Sequence, residues 1–322
     1  MSYALCVGLF IIGAASFPDP ALRAFQDGFT GRRVVRFSSD GRYLAWTADN
    51  LNKGAPAVRV WDRHKDEVFA VGELESNRTQ TQVIAFTADG KVVTVTHKLS
   101  VWDMRTGQLL QEEYLPIAES GIIPALSTNG TMVAYATAQG TVKFASLSDL
   151  KNPVSLKEKC HPAATLCFSA DGGMLIVADR GQVRVYNTAK RELVKTIDVP
   201  DAIDCVVLSK DQSLLAYAGF ERFGLINLKT GNLERYSVRA DPGATMICST
   251  VQFSPDQKSI LLGGAKLIRF DMTRKKIVTI RPLFVYGIGH HAECMDLHPD
   301  GKHFATGHAG RVQLWDYPEL FK

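Results

Sequence analysis

Residues 82–103, QVIAFTADGKVVTVTHKLSVWD, contain the pattern that decides the fold. Residues 82–87 and 91–96 are rich in β-branched and aromatic side chains, so each segment predicts a strand. Between them, Ala88-Asp89-Gly90 predicts a tight turn, because Gly tolerates a positive φ and Asp hydrogen-bonds its own backbone. The stretch therefore predicts a β-hairpin.

The chain continues this hairpin with two more strands. A turn at His97-Lys98 leads into residues 99–103, and a turn at Thr106-Gly107 leads into residues 108–115. Neither these segments nor the connections between them show the period of an amphipathic helix. The unit is predicted to be a four-stranded antiparallel sheet, and the fold class to be all-β.

The same unit recurs seven times, each copy marked by a turn built on Asp or Asn. These turns are Ser39-Asp40-Gly41, Ala88-Asp89-Gly90, Thr128-Asn129-Gly130, Ala170-Asp171-Gly172, Lys210-Asp211-Gln212, Pro255-Asp256-Gln257 and Pro299-Asp300-Gly301. Successive turns are separated by 49, 40, 42, 40, 45 and 44 residues. A regular period of about 43 residues indicates a repeat architecture. Seven units account for residues 21–322 as one domain.

The first strand of each unit is apolar on both faces. Large apolar or Pro side chains stand three and five residues before the turn Asp or Asn, as Phe86 and Ile84 stand before Asp89. The residue between them is often apolar or small. Such a strand is buried on both sides. Burial of this kind is expected when four-stranded sheets stack around a central axis, which predicts a seven-bladed β-propeller.

The unit resembles the WD-repeat β-propeller family over about 300 residues. Its third-strand signature is present as Trp61-Asp62, Trp102-Asp103 and Trp315-Asp316, in weaker form as Tyr186-Asn187 and Phe270-Asp271, and is nearly lost at Phe144-Ala145 and Ile226-Asn227. The Gly-His pair that precedes the first strand is present as Gly289-His290 and in part as Cys160-His161. The family's Asp-His-Ser/Thr-Trp hydrogen-bond network is expected to be incomplete in every blade.

The resemblance also implies how the ring closes. The last unit ends near Trp315-Asp316 with little chain for a fourth strand, whereas residues 21–25 form a spare strand-like piece. That piece is expected to complete the last blade. At the same junction, Arg36, Gln252 and Asp296 each stand four residues before a turn Asp, in blades one, six and seven. We expect a buried polar cluster with Asp296 facing Arg36, acting as a closure lock.

Composition narrows the classes of partner. The net charge of +4 is spread along the chain, and its densest run, residues 274–276, spans only three positions. Proteins that bind nucleic acid usually concentrate their basic residues, so a nucleic-acid partner is not expected. Cys167, Cys205, Cys248 and Cys294 lie in apolar runs before turns and predict small core side chains rather than disulfides. Cys160 alone is expected near the surface.

The N-terminal segment, residues 1–20, is apolar. Residues 3–17 hold no charge but are too short for a membrane span of about 20 residues, so no stable span is expected. They suit a signal peptide with small residues at Ala14-Ala15-Ser16, which would imply export or a periplasmic location. The lack of Lys or Arg before the apolar run argues against a signal peptide. The alternatives are an apolar N-terminal strand or helix, or a different start codon, and a cytoplasmic location is then expected.

No motif for catalysis, a cofactor or a metal emerges. Five of the eight histidines lie within residues 290–308, but His298 and His303 flank one end of a blade while His290, His291 and His308 lie at the other. A six-residue strand separates these ends by roughly 20 Å, so the five cannot share one ion, and only His290, His291 and His308 could converge. Residues 287–292 match a dinucleotide-binding glycine pattern, but a strand rather than the required helix follows. We expect no metal and no cofactor.

Candidate binding residues lie on the face of the ring that, in this family, is built by the loops between the second and third strands. Loops on a rigid scaffold are where partner contacts concentrate. Side chains expected to face a protein or an anion there are Lys53, His97, Lys98, Arg180, Phe220, Arg222, Lys266, His290 and His308. Each also fits a solvated loop residue.

Three functions follow from these expectations. The first is a non-enzymatic protein-interaction scaffold, a monomeric propeller that presents its loop face to a protein or peptide. The second is a propeller enzyme or small-ligand binder that uses the central channel. The third is an exported structural or surface protein. Converging His, Asp or Glu side chains in the channel would favour the second.

Overall fold

A computed structural model describes residues 22–26, 34–47, 56–73, 83–117, 124–161, 164–179, 181–238, 248–264, 266–282, 292, 294–308 and 311–317. Across these ranges the chain forms 28 strands in seven four-stranded antiparallel sheets and no α-helix. The predicted all-β, seven-bladed propeller is confirmed. Within the same ranges no helix has the length and apolar character needed to cross a membrane. The N-terminal segment and residues 48–55 and 74–82 lie outside the described residues.

The strands follow one another in the order that the sequence predicts. The first is β1 (Arg23–Gln26), and the first three blades contain β2 (Val35–Phe37), β3 (Tyr43–Thr47), β4 (Pro56–Asp62), β5 (Glu67–Glu73), β6 (Val83–Phe86), β7 (Lys91–Val95), β8 (Lys98–Asp103), β9 (Leu109–Tyr114), β10 (Ala125–Leu126), β11 (Met132–Ala136), β12 (Thr141–Ser146) and β13 (Val154–Lys159).

Blades four to seven repeat the same plan. They contain β14 (Thr165–Phe168), β15 (Met174–Asp179), β16 (Gln182–Asn187), β17 (Glu192–Asp198), β18 (Cys205–Leu208), β19 (Leu214–Ala218), β20 (Arg222–Asn227), β21 (Leu233–Ser237), β22 (Cys248–Phe253), β23 (Ser259–Gly264), β24 (Lys266–Asp271), β25 (Lys276–Pro282), β26 (Cys294–Leu297), β27 (His303–His308) and β28 (Arg311–Asp316).

The ring closes through the N-terminal strand. β1 pairs antiparallel with β28, with Arg23 opposite Leu314 and Phe25 opposite Val312, so the last blade has the strand order β1-β28-β27-β26. The Phe25 ring lies 4.7 Å from the Trp46 ring and 5.2 Å from the Trp61 ring, both in blade one. The first strand therefore fills the edge of blade seven and also packs on the next blade. A covered edge cannot template association with another chain.

A shared hydrogen bond explains the repeated turns. In blade one, Ser38 Oγ donates to Asp40 Oδ1 at 2.6 Å, and the backbone nitrogen of Tyr43 donates to Ser38 Oγ at 2.9 Å. Six of the seven turns carry a hydroxyl two residues before the turn Asp or Asn, namely Ser38, Thr87, Ser127, Ser169, Ser209 and Ser254. The turn residues therefore hold backbone geometry, as predicted. The seventh turn carries His298 at this position.

The core lies between neighbouring blades. Phe144 of blade three, for example, belongs to the same buried cluster as Leu166 and Phe168 of blade four. Because each sheet packs on two neighbours, its inner strands have two apolar faces, as the sequence indicates. The largest fully buried side chains include Trp46, Tyr217 and Phe223.

Two local expectations are wrong. In blade three the Trp-Asp position falls on Ala145-Ser146 rather than Phe144-Ala145, because Val133 pairs with Ala145 as Leu44 pairs with Trp61 in blade one. Cys160 is buried rather than near the surface. It follows β13 directly and packs within the core cluster between blades three and four, while its backbone nitrogen donates to Gly140 O at 2.8 Å.

Candidate functional site

The two faces of the ring differ in the turns that build them. We call the face formed by the turns from second to third strands the upper face, and the face carrying the seven Asp or Asn turns the lower face. On the upper face, blade five joins β19 to β20 through a two-residue turn at Phe220-Glu221. The backbone nitrogen of Gly219 donates to Arg222 O at 3.0 Å and closes this turn. The Phe220 side chain at its tip is 53% exposed.

Close backbone packing makes this turn rigid. A Cβ atom placed on Gly219 would lie 2.2 Å from Ala202 O, so the turn rests directly on the segment that precedes β18. Glu221 has a φ of 57°, and its carbonyl accepts a hydrogen bond from Val238 N at 3.1 Å. Phe220 is therefore an exposed aromatic side chain on a supported backbone, which reduces the entropy that a partner's binding would cost.

A buried carboxylate organises the polar side chains beside Phe220. Asp201 receives hydrogen bonds from Arg235 Nε at 2.8 Å and Nη2 at 2.5 Å, and from the Tyr217 hydroxyl at 2.6 Å. Arg222 Nε lies 3.8 Å from Asp201 Oδ1, and its side chain is 53% exposed. Arg235 takes both carboxylate oxygens, so Arg222 makes a looser contact and presents its guanidinium to solvent.

The same contacts set the protonation of this group. The hydrogen bond from Arg235 lowers the pKa of Asp201; burial opposes this shift, and the Tyr217 hydroxyl adds to it. Burial raises the pKa of Tyr217, and the Asp201 carboxylate raises it further. At neutral pH the cluster therefore holds an ionised carboxylate and a neutral phenol. Asp201, Tyr217 and Arg235 are not among the residues predicted from the sequence. The one signal there is that Asp201 lies outside the seven Asp or Asn turns.

The upper face of blade two carries two other predicted residues. Lys98 Nζ forms an ion pair with Glu112 Oε2 at 2.9 Å, and Ser100 Oγ donates to the other oxygen of Glu112 at 3.2 Å. The His97 ring lies 6.0 Å from the ring of Tyr114, which is 64% exposed on β9. Lys98 and His97 thus belong to a polar patch on the outer part of blade two.

The other predicted rim residues have different positions. His308 is fully buried rather than exposed on the rim, because it ends β27 inside the last blade. Its Nε2 lies 2.7 Å from Thr306 Oγ1, which also accepts a hydrogen bond from Trp315 Nε1 at 2.7 Å. Lys266 is half-buried at the start of β24. The remaining three, Lys53, Arg180 and His290, lie outside the described residues.

The structure thus brings only some of the predicted residues together. Phe220 and Arg222 share one turn in blade five, and Lys266 begins the third strand of the adjacent blade six. His97 and Lys98 stand three blades away from that turn. Among the predicted rim residues that the structure describes, Phe220 and Arg222 are the two exposed ones.

In the closure cluster Arg36 faces Asp296, but the Arg36 side chain is 42% exposed, so the cluster is only partly buried. Arg36 Nη1 donates to Asp296 Oδ1 at 3.1 Å, and the backbone nitrogen of Phe37 donates to Asp296 Oδ2 at 2.7 Å. Gln252 Nε2 donates to Met295 O at 3.3 Å. Burial raises the pKa of Asp296, while Arg36 and the Phe37 amide oppose that shift. These contacts tie the first strands of blades six, seven and one together.

The central channel offers little for chemistry in its described part. A cavity of about 150 Å³ there is lined by the Arg36–Asp296 pair, by hydroxyl groups such as Ser127, and by apolar groups such as Phe86. The Cys167 thiol belongs to a first strand, and burial raises its pKa to about 11, so it stays protonated. The charged groups of this lining satisfy each other.

One cluster on the lower face contradicts the analysis of the histidines. His298, Asp300 and His303 place three potential metal-binding atoms within 4.8 Å of one another, although the sequence analysis allowed only His290, His291 and His308 to converge. The reason is that His298 N donates to His303 O at 3.0 Å, so the two residues stand opposite each other across the hairpin. Opposite residues in an antiparallel pair share a face.

Comparisons with known proteins support the fold. Residues 281–316 match the family profile described as "WD domain, G-beta repeat". No curated protein sequence gives a significant match. The WD-repeat resemblance is therefore confirmed directly in the last repeat.

Two solved structures share the architecture of the whole ring. The β-propeller domain of Cps50 (Swd1) from Myceliophteria thermophila superimposes with a TM-score of 0.73 at 14% identity, covering 91% of this chain and 99% of that one. A chain in the crystal structure of the Mitotic Checkpoint Complex superimposes with a TM-score of 0.73 at 13% identity, covering 98% of each chain. At these identities the likeness concerns the fold alone.

Proposed function

We propose that this WD-repeat-like propeller is a non-enzymatic protein-interaction scaffold whose upper face binds a protein or peptide at Phe220 and Arg222. The observation that supports it most is an exposed aromatic ring held on a turn that rests on Ala202. Aromatic and Arg side chains dominate the energetic centres of protein interfaces. In the comparison structures, one propeller is a chain of a crystallised complex, which agrees with a partner-binding role.

The chemistry of this turn indicates the kind of surface it fits. Phe220 offers apolar area, and the exposed guanidinium of Arg222 beside it can donate hydrogen bonds to a carboxylate. We therefore expect a partner segment with an apolar side chain next to an acidic one. The channel alternative has less support, because Arg36 and Asp296 already pair with each other.

Affinity capture with a matched control tests the scaffold. The double variant Phe220→Ala/Arg222→Ala removes the upper-face pair, whereas Arg105→Ala/Leu109→Ala removes an exposed Arg and a 47% exposed Leu at the lower-face end of blade two. We expect at least one protein to be recovered with the wild type and the control, and about tenfold less with the upper-face variant.

Binding of that protein, purified, to the three forms then gives the affinities directly. The wild type and the two variants binding with equal affinity would show that the upper face of blade five does not bind the partner. Recovery that falls equally with both variants would show the same.

A further inference from the structure

The seventh Asp turn departs from the other six in a way that points to a ligand. In those six, a Ser or Thr hydroxyl donates to the turn Asp or Asn, as Ser209 Oγ does to Asp211 Oδ1 at 2.6 Å. In the seventh, His298 replaces the hydroxyl, and His303 occupies the position where the other turns have Tyr, Lys, Met, Met, Leu and Ser. Two imidazole rings thus flank one carboxylate at a position where the fold itself needs neither.

The two rings approach both oxygens of Asp300. His298 Nδ1 lies 2.8 Å from Asp300 Oδ1, and His303 Nδ1 lies 2.6 Å from Asp300 Oδ2. Hydrogen bonds from Lys302 N at 2.7 Å and His303 N at 3.2 Å hold the Asp300 carboxylate in place. A cation between this carboxylate and the two rings would have three donor atoms within reach.

The hydrogen-bond contacts around His298 resemble those that orient a metal-binding histidine. Its side chain is 7% exposed, and its Nε2 lies 2.8 Å from Gly41 O of blade one. A histidine that binds a metal through one nitrogen usually donates its other N–H to such a carbonyl. Because His298 Nδ1 accepts from Asp300 N, Nε2 carries the proton and donates to Gly41 O. The same carbonyl accepts from Arg63 Nη1 at 3.1 Å, and this Nη1 also lies beside His298 Nε2. The remaining nitrogen, Nδ1, faces Asp300.

We propose that His298, Asp300 and His303 bind a divalent transition-metal ion, of the Ni²⁺, Cu²⁺ or Zn²⁺ class, on the lower face of blade seven. Two imidazole nitrogens and one carboxylate oxygen suit these ions better than Mg²⁺ or Ca²⁺, which favour all-oxygen sites. This site is independent of the upper-face function.

The distances between the donor atoms favour the cis positions of Ni²⁺ or Cu²⁺ over the tetrahedral geometry of Zn²⁺. An ion about 2.0–2.1 Å from two atoms that are 2.8 Å apart subtends about 85° between them, which suits the cis positions of Ni²⁺ or Cu²⁺. Tetrahedral Zn²⁺ needs these donors about 0.5 Å further apart. The three donors span up to 4.8 Å, so His303, the more exposed imidazole at 23%, must turn inward by about 1 Å. The ion also displaces the hydrogen bond from Asp300 N to His298 Nδ1, which measures 3.0 Å.

A bound ion would stabilise the ring junction. His298 packs its ring edge-to-face on Phe37 of blade one with 4.9 Å between centroids. Coordination would fix the β26–β27 hairpin in the conformation that makes this contact. Because an ion that binds only the folded state raises stability, we expect it to raise the melting temperature.

The experiment uses tag-free full-length protein titrated separately with Ni²⁺, Cu²⁺, Zn²⁺, Mg²⁺ and Ca²⁺. His298→Ser restores the hydroxyl found in blades one and three to six, and His303→Leu introduces the residue of blade five, so both should fold. His64→Ala, at an exposed turn of blade one, is the matched control. We expect saturable 1:1 binding by calorimetry, nitrogen hyperfine coupling in the Cu²⁺ electron paramagnetic resonance spectrum, and a rise in melting temperature.

Both site variants should bind at least about tenfold more weakly, and the control should bind as the wild type does. If His298→Ser fails to fold by circular dichroism, His303→Leu decides the outcome. Saturable binding that survives both site variants, or no binding of any of the three transition ions below about 1 mM, would overturn the proposal.

Discussion

At the scale of single residues, Asp201 shows how one buried carboxylate supports an exposed surface. Its oxygens accept from Arg235 and Tyr217, which come from β21 and β19, and it lies 3.8 Å from Arg222 on β20. One side chain thus connects the segment before β18 with three strands of blade five. Arg222, which follows the Phe220 turn, is 53% exposed and lies at this connection, so the buried Asp201 helps to position an exposed side chain.

Replacing Asp201 tests this connection. Asp201→Asn keeps the shape but removes the charge that pairs with Arg235, so we expect a loss of about 1–3 kcal/mol in unfolding free energy at pH 7. The folded pKa of Asp201 lies below its usual 3.8, so its contribution is present above that value and is lost as the pH falls through the folded pKa. Denaturant titrations should therefore show the difference narrowing below about pH 4.

Asp198→Asn makes the same charge change at an exposed position of β17 and serves as the control. A loss at Asp201→Asn that is no larger than in this control, or that stays constant down to pH 3, would contradict the role given to Asp201.

At the scale of elements, two turns require a glycine for different physical reasons. Gly90, in a lower-face turn, has a φ of 80°, and a Cβ there meets no atom within 4 Å. Gly219, before the upper-face turn of blade five, has no such φ requirement but would place its Cβ 2.2 Å from Ala202 O. Gly90 is required by its local backbone conformation, which a sequence pattern can predict. Gly219 is required by a contact with another segment, which a sequence pattern cannot predict.

The two alanine variants should therefore differ. Gly90→Ala is expected to cost about 1 kcal/mol, because only backbone strain opposes it. Gly219→Ala should cost more than about 2 kcal/mol, because the turn must move away from Ala202. Melting curves of both variants measure the difference, and the Gly219 variant should also lose affinity for an upper-face partner. Similar melting temperatures for the two would show that the turn does not rest tightly on Ala202.

At the scale of the whole molecule, ring closure depends on few contacts far apart in sequence. β1 completes blade seven and places Phe25 against Trp46 and Trp61 of blade one, while Arg36 and Asp296 join the inner strands of the same two blades. One contact lies on the outside of the ring and the other at its centre. Together they couple the first and last repeats.

Weakening the outer contact should open the ring. Phe25→Ala removes the ring between two indoles, and we expect a loss of about 1–3 kcal/mol, less than for a fully buried Phe because Phe25 is half-buried. We also expect more association on size exclusion, because a loosened β1 leaves the edge of β28 open to pairing. Leu22→Ala, at a 55% exposed position one residue before β1, should leave both measurements unchanged. A monomeric, equally stable Phe25 variant would argue against this mode of closure.

The sequence by itself determined the number of blades, the positions of the seven turns and the strand that closes the ring. These follow from local periodicity and turn chemistry, which repeat within each unit of about 43 residues. It also placed Arg36 and Asp296 together, because both occupy the same position of neighbouring repeats. Only the tertiary structure decided that His308 is buried, that Ala145-Ser146 occupies the Trp-Asp position of blade three, and that Asp201 helps to position Arg222. These depend on pairing register and on packing between segments, where small shifts that leave the local pattern unchanged alter which side chains meet.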